Sequence, residues 1–315
     1  MNGALRGIAR VGRVVGAASL AGIGLGAGAL AWGQVERRTP TIRRYDIQLP
    51  ADRQIPDVTL LQIADLHLFP GQEFLIDFLD EVARTEHFDA VIATGDNFGD
   101  EHGIDLVTRA YEPFLTYPGA FVFGSNDYYS PHRKNWGSYL FGASKIKERT
   151  VPDLPWTELA TFLRDAGWAD LTNRADVIRV PAEGGDLEVG LLGADDAHIN
   201  RDRIVEPSSS WDQPTTLRLG VTHSPYLRVV NALTRAGSDL ILAGHTHGGQ
   251  IGLPFYGAII TNCDIDRQYA KGLHHWSVDD SQAWLHVSAG LGTSPFAPVR
   301  IATRPEVSLI TVRSA

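Results

Sequence analysis

The chain has 315 residues and 43% hydrophobic content, enough for one large domain or two small ones. Its formal charge of −9 is unevenly placed: residues 1–44 carry seven Arg against Glu36, about +6, which leaves about −15 for the remainder. An acidic body argues against sequence-independent binding of a nucleic-acid duplex, and a single cysteine, Cys263, excludes a disulfide framework and any cysteine-rich zinc or iron–sulfur site.

In chain order, the first feature is the uncharged run Val14–Trp32, 19 residues preceded by Arg6, Arg10 and Arg13. At about 1.5 Å per residue it spans most of a bilayer core of roughly 30 Å. Three readings stay open: a single-pass signal anchor, which is favoured; a cleaved export signal with Ala29-Leu30-Ala31 as the processing site; or an apolar tail on a soluble protein. The basic flank suits anionic membrane lipids and gives mild support for a catalytic body outside the cytoplasm. Residues 1–39 are therefore expected to be anchor or signal, 40–56 a polar, Pro-punctuated linker, and 57–315 one catalytic domain. Within the latter, Val58–Ile63, Asp89–Thr94, Gly119–Phe123, Leu187–Leu192, Leu217–Thr222, Asp239–Ala243, Trp284–Ser288 and Val307–Val312 read as strands. Several are apolar throughout, as strands covered on both faces are. Glu73–Arg84 places Phe74, Phe78 and Val82 on one helical face. Pro155–Asp165 and Pro225–Arg235 open with Pro as helices do. The layout predicts an α/β fold.

Chemistry-bearing residues follow five of these strands: Asp65 and His67; Asp96 and Asn97; Ser125, Asn126 and Asp127; His223; and His245 and His247 in Gly-His-Thr-His-Gly-Gly-Gln. Strand ends are where α/β sheets place ligands. If Asp65-Leu66-His67 is extended, residues i and i+2 share a side and converge on one point, and the same holds for His245 and His247. Glycines beside Asp96, Asn126 and His245 allow tight turns. Carboxylate, amide and imidazole ligands suit Mn, Fe or Zn, and two such ions form a clamp for in-line displacement at phosphorus. Each piece alone is weak; five in this order are not.

From about Leu60 onward the sequence resembles the calcineurin-like metallophosphoesterase superfamily, and within it the bacterial membrane- or wall-associated phosphodiesterase branch. The likeness includes the tail Gly290-Leu291-Gly292-Thr293-Ser294, Arg300 and Arg304-Pro305-Glu306. It implies two mixed β-sheets packed as a sandwich flanked by helices, here with an N-terminal apolar helix added. It also implies two divalent or mixed-valence metal ions. Asp65, His67, Asp96 and His247 would hold one, and Asp96, Asn126, His223 and His245 the other, with Asp96 bridging and a metal-bridging hydroxide attacking phosphorus. The family's third motif is usually Gly-Asn-His followed by an acid, whereas this chain has Gly124-Ser125-Asn126-Asp127. Without a gap, Ser125 takes the ligand position; with a one-residue slip, which is favoured, Asn126 does and Asp127 follows. Either way no His stands beside the leaving group. His198 is the candidate substitute acid, with Asp127 a second catalytic candidate; a loop histidine without a role is the alternative for His198.

Between Tyr128 and Arg149 aromatics alternate with cations, among them Lys145 and Lys147. Such a mixture suits a lipid headgroup or anionic glycophosphate, so Lys145, Lys147 and Arg300 are candidate substrate contacts. A solvated loop is the alternative reading of the insert. The expected function is a phosphodiesterase acting on a membrane- or envelope-associated phosphate ester. A phosphomonoesterase and a metal-free binding scaffold on the same fold are the rivals.

Overall fold

Strands that are apolar on both faces need cover on both sides, and this chain supplies it by stacking two six-stranded sheets between helices. The computed structural model describes residues 26–132, 151–182, 185–253 and 255–314. Helix α1 (26–36) leads into strands β1 (Thr41–Leu49) and β2 (Val58–Ile63), helix α2 (Glu73–Thr85) and β3 (Ala90–Ala93). Then come α3 (Ile104–Tyr111), β4 (Gly119–Phe121), the one-turn α4 (Ser125–Tyr128), α5 (Trp156–Asp165), β5 (Ala169–Asp170), β6 (Ala175–Val180) and β7 (Leu187–Ala194). The remainder is β8 (Thr216–Thr222), α6 (Leu227–Arg235), β9 (Leu240–Ala243), the short hairpin β10 (Gly252–Leu253) and β11 (Gly257–Ala258), β12 (Gly272–Val278), β13 (Ser281–Val287) and β14 (Glu306–Ser314).

The first sheet has the order β1-β14-β2-β3-β4-β5 and the second β12-β13-β9-β8-β7-β6. In the first, β2 to β5 run parallel and β14 runs against β2; in the second, β7, β8, β9 and β13 are parallel with antiparallel β6 and β12 at the edges. Side chains alternate between two cores, as the period of a strand requires. Leu60, Ala90, Ile92 and Ala120 point between the sheets to meet Val189, Leu219, Val221 and Leu242. Leu61, Ile63, Val91, Ala93 and Phe121 point outward to Leu75, Leu79, Val107 and Leu159 of the helices. The buried side of α2 is Leu75, Ile76, Leu79 and Val82, with Phe74 and Phe78 half-covered beside it.

One expectation needs correction. Residues 40–56 are not a linker. Thr41–Leu49 is an edge strand paired in parallel with β14 along its whole length. Its outward Arg43, Arg44 and Asp46, which made it read as a connector, are the charges that shield a sheet edge. Beyond it, the buried Arg53 donates to Asp239 Oδ2 at 2.7 Å and to the Thr216 carbonyl. Of the apolar run Val14–Trp32, residues 14–25 lie outside the described residues, and no helix among the described residues is long and apolar enough to cross a membrane. The described part, α1, is docked on the body: the buried Glu36 carboxylate accepts from the amides of Ala302 (3.0 Å) and Thr303 (2.6 Å).

Removing one partner of a buried ion pair leaves the other charge stranded. Arg53→Ala is expected to destabilise the fold by about 2–3 kcal/mol, less than the full penalty because Arg218 also contacts Asp239. Thermal or denaturant unfolding measures it. An unchanged midpoint would return the segment to the status of a linker.

Candidate metal centre

Parallel strands of both sheets end at one edge of the sandwich, and the loops leaving them are stitched together there. Asp65 N–H donates to the Gly95 carbonyl at 2.9 Å and His67 N–H to that of Asp96 at 3.0 Å, which joins the loops after β2 and β3. Across the two sheets, His245 N–H donates to the Asp65 carboxylate at 3.0 Å, and the His223 ring reaches the Thr94 carbonyl at 2.7 Å.

The sequence pattern leads to the right place by a different local geometry from the one expected. Asp65 and His67 are not extended neighbours. Both adopt left-handed backbone (φ 51° and 41°), as do Asp96 (58°), His245 (71°) and His247 (50°). Such torsions cost L-residues roughly 1 kcal/mol or more each and cluster at functional sites. Convergence comes from sharp turns that aim each side chain inward.

The result is two groups of ligand atoms that share Asp65, Asp65–His67–His247 and Asp65–Asp96–His223, buried except for the partly covered His247 and each with its atoms within 4.8 Å of one another. Asp96 of the second group also touches the first: Oδ2 is 3.5 Å from His67 Nε2 and Oδ1 is 3.4 Å from His223 Nε2. The Asn126 amide packs on Asp96 Oδ2 at 2.7 Å, and turning the amide over would present its oxygen instead. Ser125 Oγ is 3.4 Å from that amide. His245 completes the wall, its ring edge-on to His223 at 5.2 Å between centroids.

Two observations fit a pair of metal ions. His223 donates from Nδ1 to Thr94, which turns Nε2 into the site, where it is fully buried and has no aligned hydrogen-bond partner. His67 Nε2 and His247 Nε2 face each other at 3.0 Å, so one proton sits between two ring nitrogens, the place a cation takes when both lone pairs turn to it. Gly124 is needed for this crowding: a Cβ there would collide with Asp96 Oδ1 and lie 2.6 Å from His223 Nε2.

Electrostatics follow from burial. Desolvation pushes Asp65 up to about 7, helped by the Asp96 charge. Asp96 is also raised by burial, but His223, His67 and the Asn126 hydrogen bond outweigh that and hold it well below the usual carboxylate range. Burial lowers His67 to about 4 and pulls His245 and His247 well below 6.5. In His223 the desolvation is overcome by Asp96, Asp196 and Asp65, which keep it protonated well above 6.5.

The remaining site residues fall into three groups. His198, on a turn after β7, stands with its ring 4.6 Å from that of His245 and its Nδ1 3.0 Å from the Tyr226 hydroxyl. Its backbone is held by Asp196 Oδ1 and Ser224 Oγ. Asp127, expected as a catalytic group, is instead a strut. It is fully buried and its carboxylate accepts from the backbone N–H groups of Asp96, Asn97 and Gly124 at 2.8–2.9 Å, so neither oxygen is available to a substrate. Arg300, expected to touch substrate, is also fully buried. Its guanidinium donates to the carbonyls of Ala289, Gly290 and Gly292 and to His247 Nδ1 at 3.1 Å, which orients that imidazole. Lys145 and Lys147 lie outside the described residues. Sequence reasoning missed Thr94, whose contribution is a carbonyl, and the Asp196–Ser224–Tyr226 support of His198. Only Ser224 and Tyr226, close behind His223, offered a signal.

Residues 58–249 match the family model for calcineurin-like phosphoesterase. The chain belongs to the calcineurin-like phosphoesterase family. The chain is similar to the uncharacterised metallophosphoesterase YkuE of Bacillus subtilis, 40% identical over 76 residues, 24% of each chain. It is also similar to the phosphodiesterase YaeI of Escherichia coli, 29% identical over 47% of this chain and 48% of the relative. A third relative is a transmembrane protein with metallophosphoesterase domain from Bos taurus, 24% identical over 85% and 56% respectively. In these matches the chain spans a quarter to just over half of the relatives' own length.

Metal must displace the protons that Asp65 and His223 hold near neutrality. Affinity for Zn or Mn is therefore expected to be weaker at about pH 6 than at about pH 8, with protons released on binding. Calorimetry in buffers of different ionisation heat measures both. Gly124→Ala is expected to lower metal affinity at least about tenfold with little change in unfolding midpoint; equal metal content would refute the crowding argument.

Proposed function

We propose that this family member is a dinuclear-metal phosphodiesterase acting on a membrane- or envelope-associated phosphate ester. The carrying observation is the facing Nε2 pair of His67 and His247 at 3.0 Å beside the Asp65–Asp96–His223 cluster. Asp65, His67, Asp96 and His247 would hold one ion and Asp96, Asn126, His223 and His245 the other, with Mn, Fe or Zn suited to these donors. Bound metal would supply Lewis-acid stabilisation of charge on phosphorus oxygens and a water of lowered pKa.

The chain's own residues do the rest. Thr94 fixes the ring of His223 in the tautomer that leaves Nε2 free to ligate, so little reorganisation is needed there. Arg300, in contrast, donates to His247 Nδ1 and would have to release that nitrogen for Nε2 to ligate. Asp127 keeps the Asp96 and Asn126 loops in register. His198, whose ring lies 4.6 Å from that of His245, would give a proton to the departing oxygen, the task for which Gly124-Ser125-Asn126-Asp127 supplies no His. A diester is favoured by that missing His and by the name of the relative YaeI. Membrane association, with the catalytic body outside the cytoplasm and anionic lipids near the N-terminus, is supported by the uncharged run Val14–Trp32 and by the name of the Bos taurus relative.

The full chain assayed with a chromogenic phosphodiester is expected to lose activity on chelation and regain it with Mn or Zn. Activity that persists without metal ends the proposal; faster turnover of the corresponding monoester moves it to phosphomonoesterase. His198→Ala is expected to lower kcat by about 10²-fold on an alkyl leaving group but only a few-fold on nitrophenolate. Equal losses on the two would remove His198 from the acid role.

A further inference from the structure

Eight large hydrophobic side chains are exposed among the described residues, and six lie on two elements: Leu30, Trp32 and Val35 on α1, and Leu253, Phe255 and Tyr256 on the β10–β11 hairpin. These elements are neighbours, because both grip the strap 297–303. From α1, Gln34 Nε2 donates to the Pro298 carbonyl at 2.6 Å, and the Gly33 carbonyl accepts from Arg300 N–H at 3.3 Å. From the hairpin side, Gln250 Nε2 donates to the carbonyls of Ala297 (2.6 Å) and Val299 (3.1 Å), and Gly252 N–H to that of Ile301 (2.8 Å). The same strap carries Arg300, which holds His247, and the hairpin begins five residues after His247. The apolar surface therefore borders the metal centre.

Nothing among the described residues accounts for Phe255. It is fully exposed and sits at φ 66°, a backbone position where a bulky side chain is unfavourable. Two features identify what covers the patch. The uncharged run Val14–Trp32 ends within α1, so if the part of the run that precedes α1 enters a bilayer, the exposed Trp32 lies near the interface, where Trp and Tyr are at home. The margin is cationic although the body is acidic: Arg37 and Arg38 directly follow α1, and the Arg267 guanidinium lies 3.6 Å over the Tyr256 ring.

We propose that the exposed side of α1 and the β10–β11 hairpin form one bilayer-contact surface. It holds the metal centre at the lipid–water interface, and the substrate is a phosphate ester borne by a lipid. This rests on the phosphodiesterase reading for its chemistry but not for its geometry.

The test uses the full chain with Cys263→Ser and Phe255→Cys, labelled with a polarity-sensitive fluorophore and reconstituted into phosphatidylcholine–phosphatidylglycerol vesicles. Emission is expected to shift to the blue and to be quenched by nitroxide lipids. The same label at Asp280→Cys, before β13 at the opposite end of the sheet, should stay solvent-like. A solvent-like Phe255 position in the vesicle-bound chain, or a chain that does not bind vesicles, overturns the proposal. A blue shift that follows protein concentration rather than lipid also overturns it, and assigns the patch to a second copy. In a parallel assay Phe255→Asn, a residue suited to φ 66°, is expected to raise KM about tenfold for a vesicle-embedded phosphodiester and to leave a soluble chromogenic diester unchanged. An unchanged KM on vesicles overturns substrate delivery from the interface. Absence of hydrolysis with both substrates would defeat the phosphodiesterase reading while the label still decides the surface.

Discussion

Packing two carboxylates and four imidazoles into a water-poor space is unfavourable unless a cation lies among them. Everything at the upper edge of the sandwich answers to that constraint. Asp65, His67, Asp96, His245 and His247 all hold left-handed torsions, and Gly124 gives up its side chain so that Asp96 and His223 can approach. The ligands are also fixed from behind. The Thr94 carbonyl, the Arg300 guanidinium and the Asp127 carboxylate each restrain a residue that faces inward, and each is buried. Local strain of this kind persists only where the surroundings over-determine it, and here the two sheets do so.

The sheets are tied to each other by polar contacts as well as by the apolar layer between them. The buried Gln62 on β2 donates to the Ala243 carbonyl on β9 at 2.9 Å, and its oxygen meets His286 of β13 at 2.6 Å. A slip of one sheet over the other would leave those groups unpaired in the core. The contact thus sets how far the loop after β2 stands from the loop after β9, which is the distance between Asp65 and His245.

Much of this was legible in the sequence. Apolar runs such as Val58–Ile63 and Leu217–Thr222 had to be strands with cover on both faces, and the Asp and His residues directly after them had to meet at one sheet edge. What remained hidden has physical reasons. β1 is an edge strand whose partner lies at the other end of the chain, and its charges resemble those of a connector. The backbone of Asp65 and His67 depends on the loop after β3, so local spacing suggested an extended segment instead. Asp127 and Arg300 read as working groups in the sequence because charge alone does not tell whether a side chain faces substrate or spends its hydrogen bonds on backbone. His198 comes near the candidate ligands only because β7 ends beside β8, a pairing that local sequence does not reveal.

Strand β14 has a consequence for how the molecule is made. Although Glu306–Ser314 comes late in the chain, it fills an interior slot of its sheet, flanked by β1 and β2. During synthesis both neighbours emerge long before the strand that must lie between them, and each waits with a bare, hydrogen-bonding edge. Correct assembly of this sheet therefore waits for β14, and premature pairing of β1 with β2 must be avoided until that strand has been made.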